Sequence, residues 1–204
     1  QYDTIYHEHL RYYSLASLKY LLEMHDLEVF HARPIPSHGG SIRVYAARRG
    51  SHPVQDSVNR MLDAEPRGEA MAKRLQAFHR DVILSKLRLL SMLRDLKERG
   101  ERIAAISAQS RASTLVNYEG LDEGLIDYVC EIPGSLKIGK YMPGTQIPVV
   151  DEARLFAEQP DCAVIFSWHI ADELAPKLKA KGFRGQLIAP LPELAPPDHH
   201  RDLR

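Results

Sequence analysis

The chain predicts an α/β fold, and three observations carry that reading. From Glu101 onward, short apolar stretches alternate with helix-like segments, the texture of a parallel sheet with helices on its faces. Between Asp56 and Arg99 apolar residues recur every three or four positions, as on an amphipathic helix. Ahead of both, a strand, the Gly39-Gly40 pair and a second strand form a hairpin pattern.

In chain order, Ser14 is placed to cap a helix whose Leu15, Leu18, Leu21 and Leu22 share one face. Residues 27–32 then read as a strand. Pro34 and Pro36 are expected to interrupt its pairing, and residues 41–47, with Ile42 and Val44, form the second strand. After a polar boundary at 48–53, Met71, Leu75, Phe78, Val82, Leu87, Leu90, Leu93 and Leu96 keep the helical rhythm until Gly100 stops it. This is a packing helix rather than a membrane or partner helix. Strands are expected at 102–106, 126–130, 147–150, 162–168 and 186–189, and helices at 110–118, 151–158 and 171–181. Residues 195–204 read as a tail.

The 204 residues are 44% hydrophobic and 26% charged, enough for a sizeable core. Lys+Arg and Asp+Glu are both 27, which argues against a nucleic-acid binder or an anionic-lipid surface, since both need clustered positive charge. No apolar run approaches the roughly 18–20 residues of a membrane span, and no signal-peptide pattern opens the chain. The two cysteines, Cys130 and Cys162, form no CxxC, so neither a disulfide framework nor a cysteine-held zinc is expected, and a reducing cytoplasm fits best. The chain begins at Gln1 with a chemically rich cluster almost at once, which leads us to expect a piece of a longer protein.

That cluster is Tyr6-His7-Glu8-His9. In extended chain His7 and His9 point to one side and Tyr6 and Glu8 to the other. Acid–base chemistry, a His-x-His metal site and a plain solvated segment all fit these residues. His38-Gly39-Gly40-Ser41 is either a tight turn or a place where ligand approaches backbone. Residues 106–114 follow a strand and open a helix, where phosphates are often held, but they contain no glycine; Arg111 is the candidate positive charge. Residues 137–144, with Lys140 and Tyr141, read as a solvated turn or a phosphate- or sugar-contacting loop. Trp168 ends a predicted strand, where it either packs on the core or faces a site.

Taken together, these residues resemble the sugar C-methyltransferases. The stretch from Gln1 to Leu10, then Tyr12-Tyr13-Ser14-Leu15 and His38-Gly39-Gly40-Ser41, carries most of the likeness. Residues 114–118, 141–148, Trp168 with Asp172-Glu173, and 190–193 follow in the family's order. The resemblance implies S-adenosylmethionine-dependent methylation of a carbon on a nucleotide-linked keto-deoxysugar. It also implies the end of a class I methyltransferase core (residues 1–50), a helical connector (51–100) and a Rossmann-like parallel-sheet domain (101–194). The donor's glycine-rich loop and a zinc-binding segment would lie upstream, with no metal expected in this chain. A non-catalytic sugar-binding or assembly module is the other reading, favoured by the glycine-free loop at 107–112.

By the resemblance His9 is the candidate base, with Tyr6 as hydrogen-bonding partner or proton donor and Glu8 as an orienting carboxylate. His7, His38, Gly39, Ser41, Arg111, Asn117, Lys140, Tyr141 and Trp168 are the candidate substrate contacts. At several positions the chain departs from the family pattern: the loop Ser107 to Ala112, Cys130-Glu131, the spacing from Pro133 to Lys137, and His169 where asparagine is usual. These bear on substrate choice.

Overall fold

A computed structural model describes residues 1–37 and 40–191. The chain divides into two compact units, one made of Gln1–His7 with the chain from Arg80 onward, the other of Glu8–His79.

The Glu8–His79 unit is built on an antiparallel hairpin, β1 (Leu27–Ile35) and β2 (Ser41–Arg48). Helix α1 (Leu15–Glu23) starts where expected: Ser14 and Ser17 exchange side-chain-to-backbone bonds as a capping box. The Glu65 carboxylate also accepts from the Leu15 and Ala16 backbone N–H groups, placing negative charge at the positive end of the helix dipole. Pro34 does not interrupt pairing; it sits opposite Ile42, and β1 runs on to Ile35. Each strand of a two-stranded ribbon has an outer edge, where a missing N–H costs no ladder bond. A bulge between Val29 and His31 twists β1 locally. Helix α2 (Asp56–Ala64) is tied to β1 by Ser57, whose hydroxyl lies 2.7 Å from His31 Nδ1. Leu15, Val29, Ala32 and Val58 are the small buried core.

The helical stretch expected between 56 and 99 is two helices, α2 and α3 (Gly68–Glu98). Glu65 precedes Pro66 and adopts ψ 122, because the proline ring excludes the helical conformation of its predecessor. In α3 only Leu89, Leu93 and Leu96 are buried, whereas Leu75, Phe78 and Leu87 of the same periodic stripe are exposed. The last turns of α3 pack on the sheet unit, and Gly100, at φ +74, ends the helix.

The other unit is a five-stranded sheet in the order β5-β4-β3-β6-β7, every pairing parallel. Its strands are β3 (Ile103–Ile106), β4 (Val129–Glu131), β5 (Val149–Asp151), β6 (Cys162–Ile165) and β7 (Gln186–Ile188). Helices α4 (Ser110–Glu119), α5 (Ala153–Glu158) and α6 (Ala171–Ala180) connect them. This is the doubly wound, Rossmann-like order, with the first strand central and the chain direction switching beside it. Strands β3 and β6 are buried along their whole length, as a sheet covered on both faces requires. The strand expected to reach Trp168 stops at Ile165, and Trp168 opens a 3₁₀ turn, Trp168–Ile170. Asp151 ends β5 rather than beginning a helix, and its carboxylate accepts from the Ala153 N–H at 2.8 Å. No helix among the described residues is long and apolar enough to cross a membrane. The tail at 195–204 lies outside the described residues, as do His38 and Gly39.

Candidate active site

The loop after β3 holds the shape of a glycine turn without a glycine. Ser107 takes φ +77, a left-handed conformation that disfavours side chains. Its N–H donates to the Cys130 carbonyl at 2.8 Å, and the next N–H, Ala108, donates to the Glu131 carboxylate at 2.6 Å. Glu131 stands at the carboxyl end of β4, so a protein carboxylate occupies a donor that would otherwise face a bound phosphate. With that donor taken and no glycine in the loop, this unit does not fit the cradle that grips S-adenosylmethionine in the methyltransferase core.

Beside this loop lies a cleft of about 240 Å³. Gln109, Ser110 and Ser113 bring the first turn of α4 to one wall, and Lys137, Lys140 and Tyr141 come from the β4–β5 connection. His7 contributes from the N-terminal segment, and Met142 with Val149 lies beneath. Lys137 is 3.7 Å from Glu131, whereas Lys140 has no carboxylate partner among the described residues. Two ammonium groups and a helix N-terminus over an apolar floor suit an anionic ligand with a flat or aliphatic portion. Three expected substrate contacts, His7, Lys140 and Tyr141, are therefore brought together.

The residues before His7 are held hard. Tyr2–Thr4 forms a 3₁₀ turn, with Asp3 only 1% exposed. Its carboxylate accepts two bonds from Arg111, at 3.0 and 3.1 Å, and one from the Trp168 indole at 2.7 Å. The Arg111 guanidinium also lies 4.9 Å from the Trp168 ring centre, a cation–π contact. The Tyr2 hydroxyl donates to Glu119, and the Thr114 hydroxyl donates to the Ile5 carbonyl at 3.2 Å. Burial pushes Glu119 above the usual carboxyl range; the Tyr2 hydrogen bond and Lys86 oppose this more weakly. Burial, with the hydrogen bond to Glu119 second, raises Tyr2 well above an ordinary phenol.

Arg111 and Trp168, expected at the substrate, are thus engaged with Asp3 inside the protein. Asn117 donates to the carbonyls of Ser113 and Pro143, at 2.7 and 2.8 Å, and so ties α4 to the Pro143-Gly144 turn. Tyr6 is half-buried with its ring edge-on to His7 at 6.3 Å. Glu8 and His9 fall in the Glu8–His79 unit and are exposed, His9 lying edge-on to Tyr12 at 6.2 Å. The Ser41 hydroxyl donates to the Ser37 carbonyl at 3.1 Å. No group of three His, Cys, Asp or Glu among the described residues is placed to hold a metal ion. Both cysteines are free and buried, and burial raises each thiol to about 12, which removes them as nucleophiles at neutral pH.

Asp3 and Glu119, which anchor the segment before His7, were not among the expected residues, and Glu131 was singled out only as a departure from the family pattern. Asp3 and Glu119 pair with residues 108 and 117 positions away, and no local pattern marks such a partner. Glu131 has a local signal: an acidic residue ending the second strand of a Rossmann-like unit.

The sheet unit is thus a Rossmann-like unit with a cationic cleft beside the loop after β3. Residues 36–192 match the family model described as the C-methyltransferase C-terminal domain, and the chain belongs to that family. It is also 33% identical over 201 residues to the C-methyltransferase NovU of Streptomyces niveus, covering 95% of this chain and 46% of that protein. The chain spans about half the length of that curated relative.

Proposed function

We propose that this chain is the sugar-binding and deprotonating part of an S-adenosylmethionine-dependent C-methyltransferase acting on a nucleotide-linked keto-deoxysugar. The observation that carries the reading is the cleft in which His7, Lys137 and Lys140 face the first turn of α4. Its cationic rim suits a diphosphate and its apolar floor suits a base or a deoxysugar. The family membership supports methyl transfer to carbon. The donor supplies an electrophilic methyl group, and the work of this chain is to make the acceptor carbon nucleophilic.

A ketone acidifies the neighbouring C–H. His9 removes that proton, Tyr6 donates a hydrogen bond to the developing enolate oxygen, and Glu8 holds the imidazole in its productive tautomer. His7 and Lys140 hold the anionic portion of the substrate. The domain scheme 1–50, 51–100 and 101–194, the contacts of His38, Gly39 and Ser41 with the sugar, and a cytoplasmic setting belong to the same proposal.

The test incubates the enzyme carrying this chain with a nucleotide-linked keto-deoxysugar in deuterated water and follows deuterium entry next to the ketone. His9→Ala and Tyr6→Phe are expected to slow exchange and turnover on the order of a hundredfold or more. Lys140→Ala should chiefly raise KM. Unchanged exchange and turnover in both His9→Ala and Tyr6→Phe sinks these roles.

A further inference from the structure

One face of α4 is given over to the segment that leads into the acid–base cluster. Arg111, Thr114 and Glu119 bond to Asp3, Ile5 and Tyr2, and the Tyr118 ring lies 4.9 Å from that of Tyr2. These positions recur at helical spacing and so lie on one side. Ser110, adjacent to Arg111, lines the cleft at the same end of the helix. The helix that meets the ligand is therefore the helix that grips residues 2–5, and Tyr6 and His7 follow directly.

We propose that Asp3 and Arg111, with Trp168, are positioning residues that fix Tyr6 for the acid–base chemistry and His7 at the rim of the cleft, an inference that rests on the proposed function. The choice of groups points this way. A buried ion pair is a poor source of stability, because desolvation offsets much of the attraction, and an apolar pair would pack as well. What a bidentate guanidinium–carboxylate pair adds is direction: two parallel bonds fix both distance and angle. Here a third bond, from the Trp168 indole, removes the remaining freedom of the carboxylate. The Tyr6 N–H donates to the Thr4 carbonyl at 3.1 Å, so the held turn passes its geometry on to the first residue of the cluster.

The test compares Arg111→Met with the double variant Asp3→Asn/Arg111→Met. The double variant leaves no buried unpaired charge and keeps an oxygen for the Trp168 indole, so it should fold if the single variant does not. Amide hydrogen exchange at Thr4, Ile5 and Tyr6 should rise by about tenfold or more, while β3 and β6 stay protected. In the intact enzyme kcat should fall by about tenfold or more, a larger factor than the rise in KM for the nucleotide sugar that a displaced His7 brings, the signature of lost alignment over and above lost binding. Unchanged exchange in the foldable variant overturns the proposal, and so does loosened exchange with unchanged kcat. Should the wild-type enzyme transfer no methyl group, the proposed function falls. The clamp is then decided separately: faster exchange with a displaced His7 imidazole resonance upholds it, and unchanged exchange rejects it.

Discussion

The Glu119 carboxyl has one oxygen receiving the Tyr2 hydroxyl, while the other is buried with no hydrogen-bond partner among the described residues. Burial favours its protonated form, so the folded chain holds this proton more tightly than the unfolded chain, where the reference value is 4.5. The stability it contributes is fully present below that value and is lost as pH rises through the folded-state value. Glu119→Gln keeps an oxygen for Tyr2 and removes the titration. Thermal melts from about pH 4 to about pH 7 should show the wild type losing stability relative to Glu119→Gln, with the variant at least as stable at the upper end. A constant difference across that range would show that Glu119 ionises normally in the fold.

At the scale of elements, α4 and the turn after Tyr141 are locked together by Asn117. Gly144 has φ +81, and a Cβ there would stand 2.1 Å from Asn117 Oδ1. Gly144→Ala therefore combines left-handed backbone strain with displacement of the side chain that bonds the Pro143 carbonyl. We expect a loss of about 2 kcal/mol in urea unfolding. Asn117→Ser/Gly144→Ala should recover part of it, because the shorter side chain leaves room for the methyl; no recovery would place the whole cost in the backbone. The elements themselves were largely legible. Ser14 caps α1 as its spacing indicates, and the strand–helix alternation after Glu101 becomes a parallel sheet. Pro34 misled because proline excludes a residue from a central strand, not from a two-stranded ribbon. The stripe through Leu75, Phe78 and Leu87 misled because periodicity shows that a helix has an apolar face, not that anything covers it.

For the molecule as a whole, the two units differ in what holds them. Among the described residues the Glu8–His79 unit has a small buried apolar core of Leu15, Val29, Ala32 and Val58, whereas the sheet unit buries both cysteines among a far larger set. With each thiol raised to about 12, labelling by a disulfide reagent near pH 8 should run on the order of a thousandfold slower than for an exposed cysteine. In a urea series the helix signal should begin to fall before either thiol labels, as the smaller core gives way first. Thiol labelling coincident with the first loss of helix would mean that the chain unfolds as one unit.

Composition, periodicity and punctuation were enough to read the α/β class, the capped first helix, the hairpin and the Tyr6-to-His9 cluster, because each depends on neighbours within a turn or a strand. The resemblance to the sugar C-methyltransferases added His7, Lys140 and Tyr141 as candidates, and left Arg111, Asn117 and Trp168 beside them. Neither was enough to separate the first three from Arg111, Asn117 and Trp168, which carry the same polar and aromatic chemistry. That separation came from folding: the Asp3 carboxylate and the Pro143 carbonyl reach these side chains only once segments 26 to 165 residues apart are packed together. Whether a cation meets ligand or protein is settled by which buried acceptor lies within bonding distance of it, and that distance belongs to the packed chain.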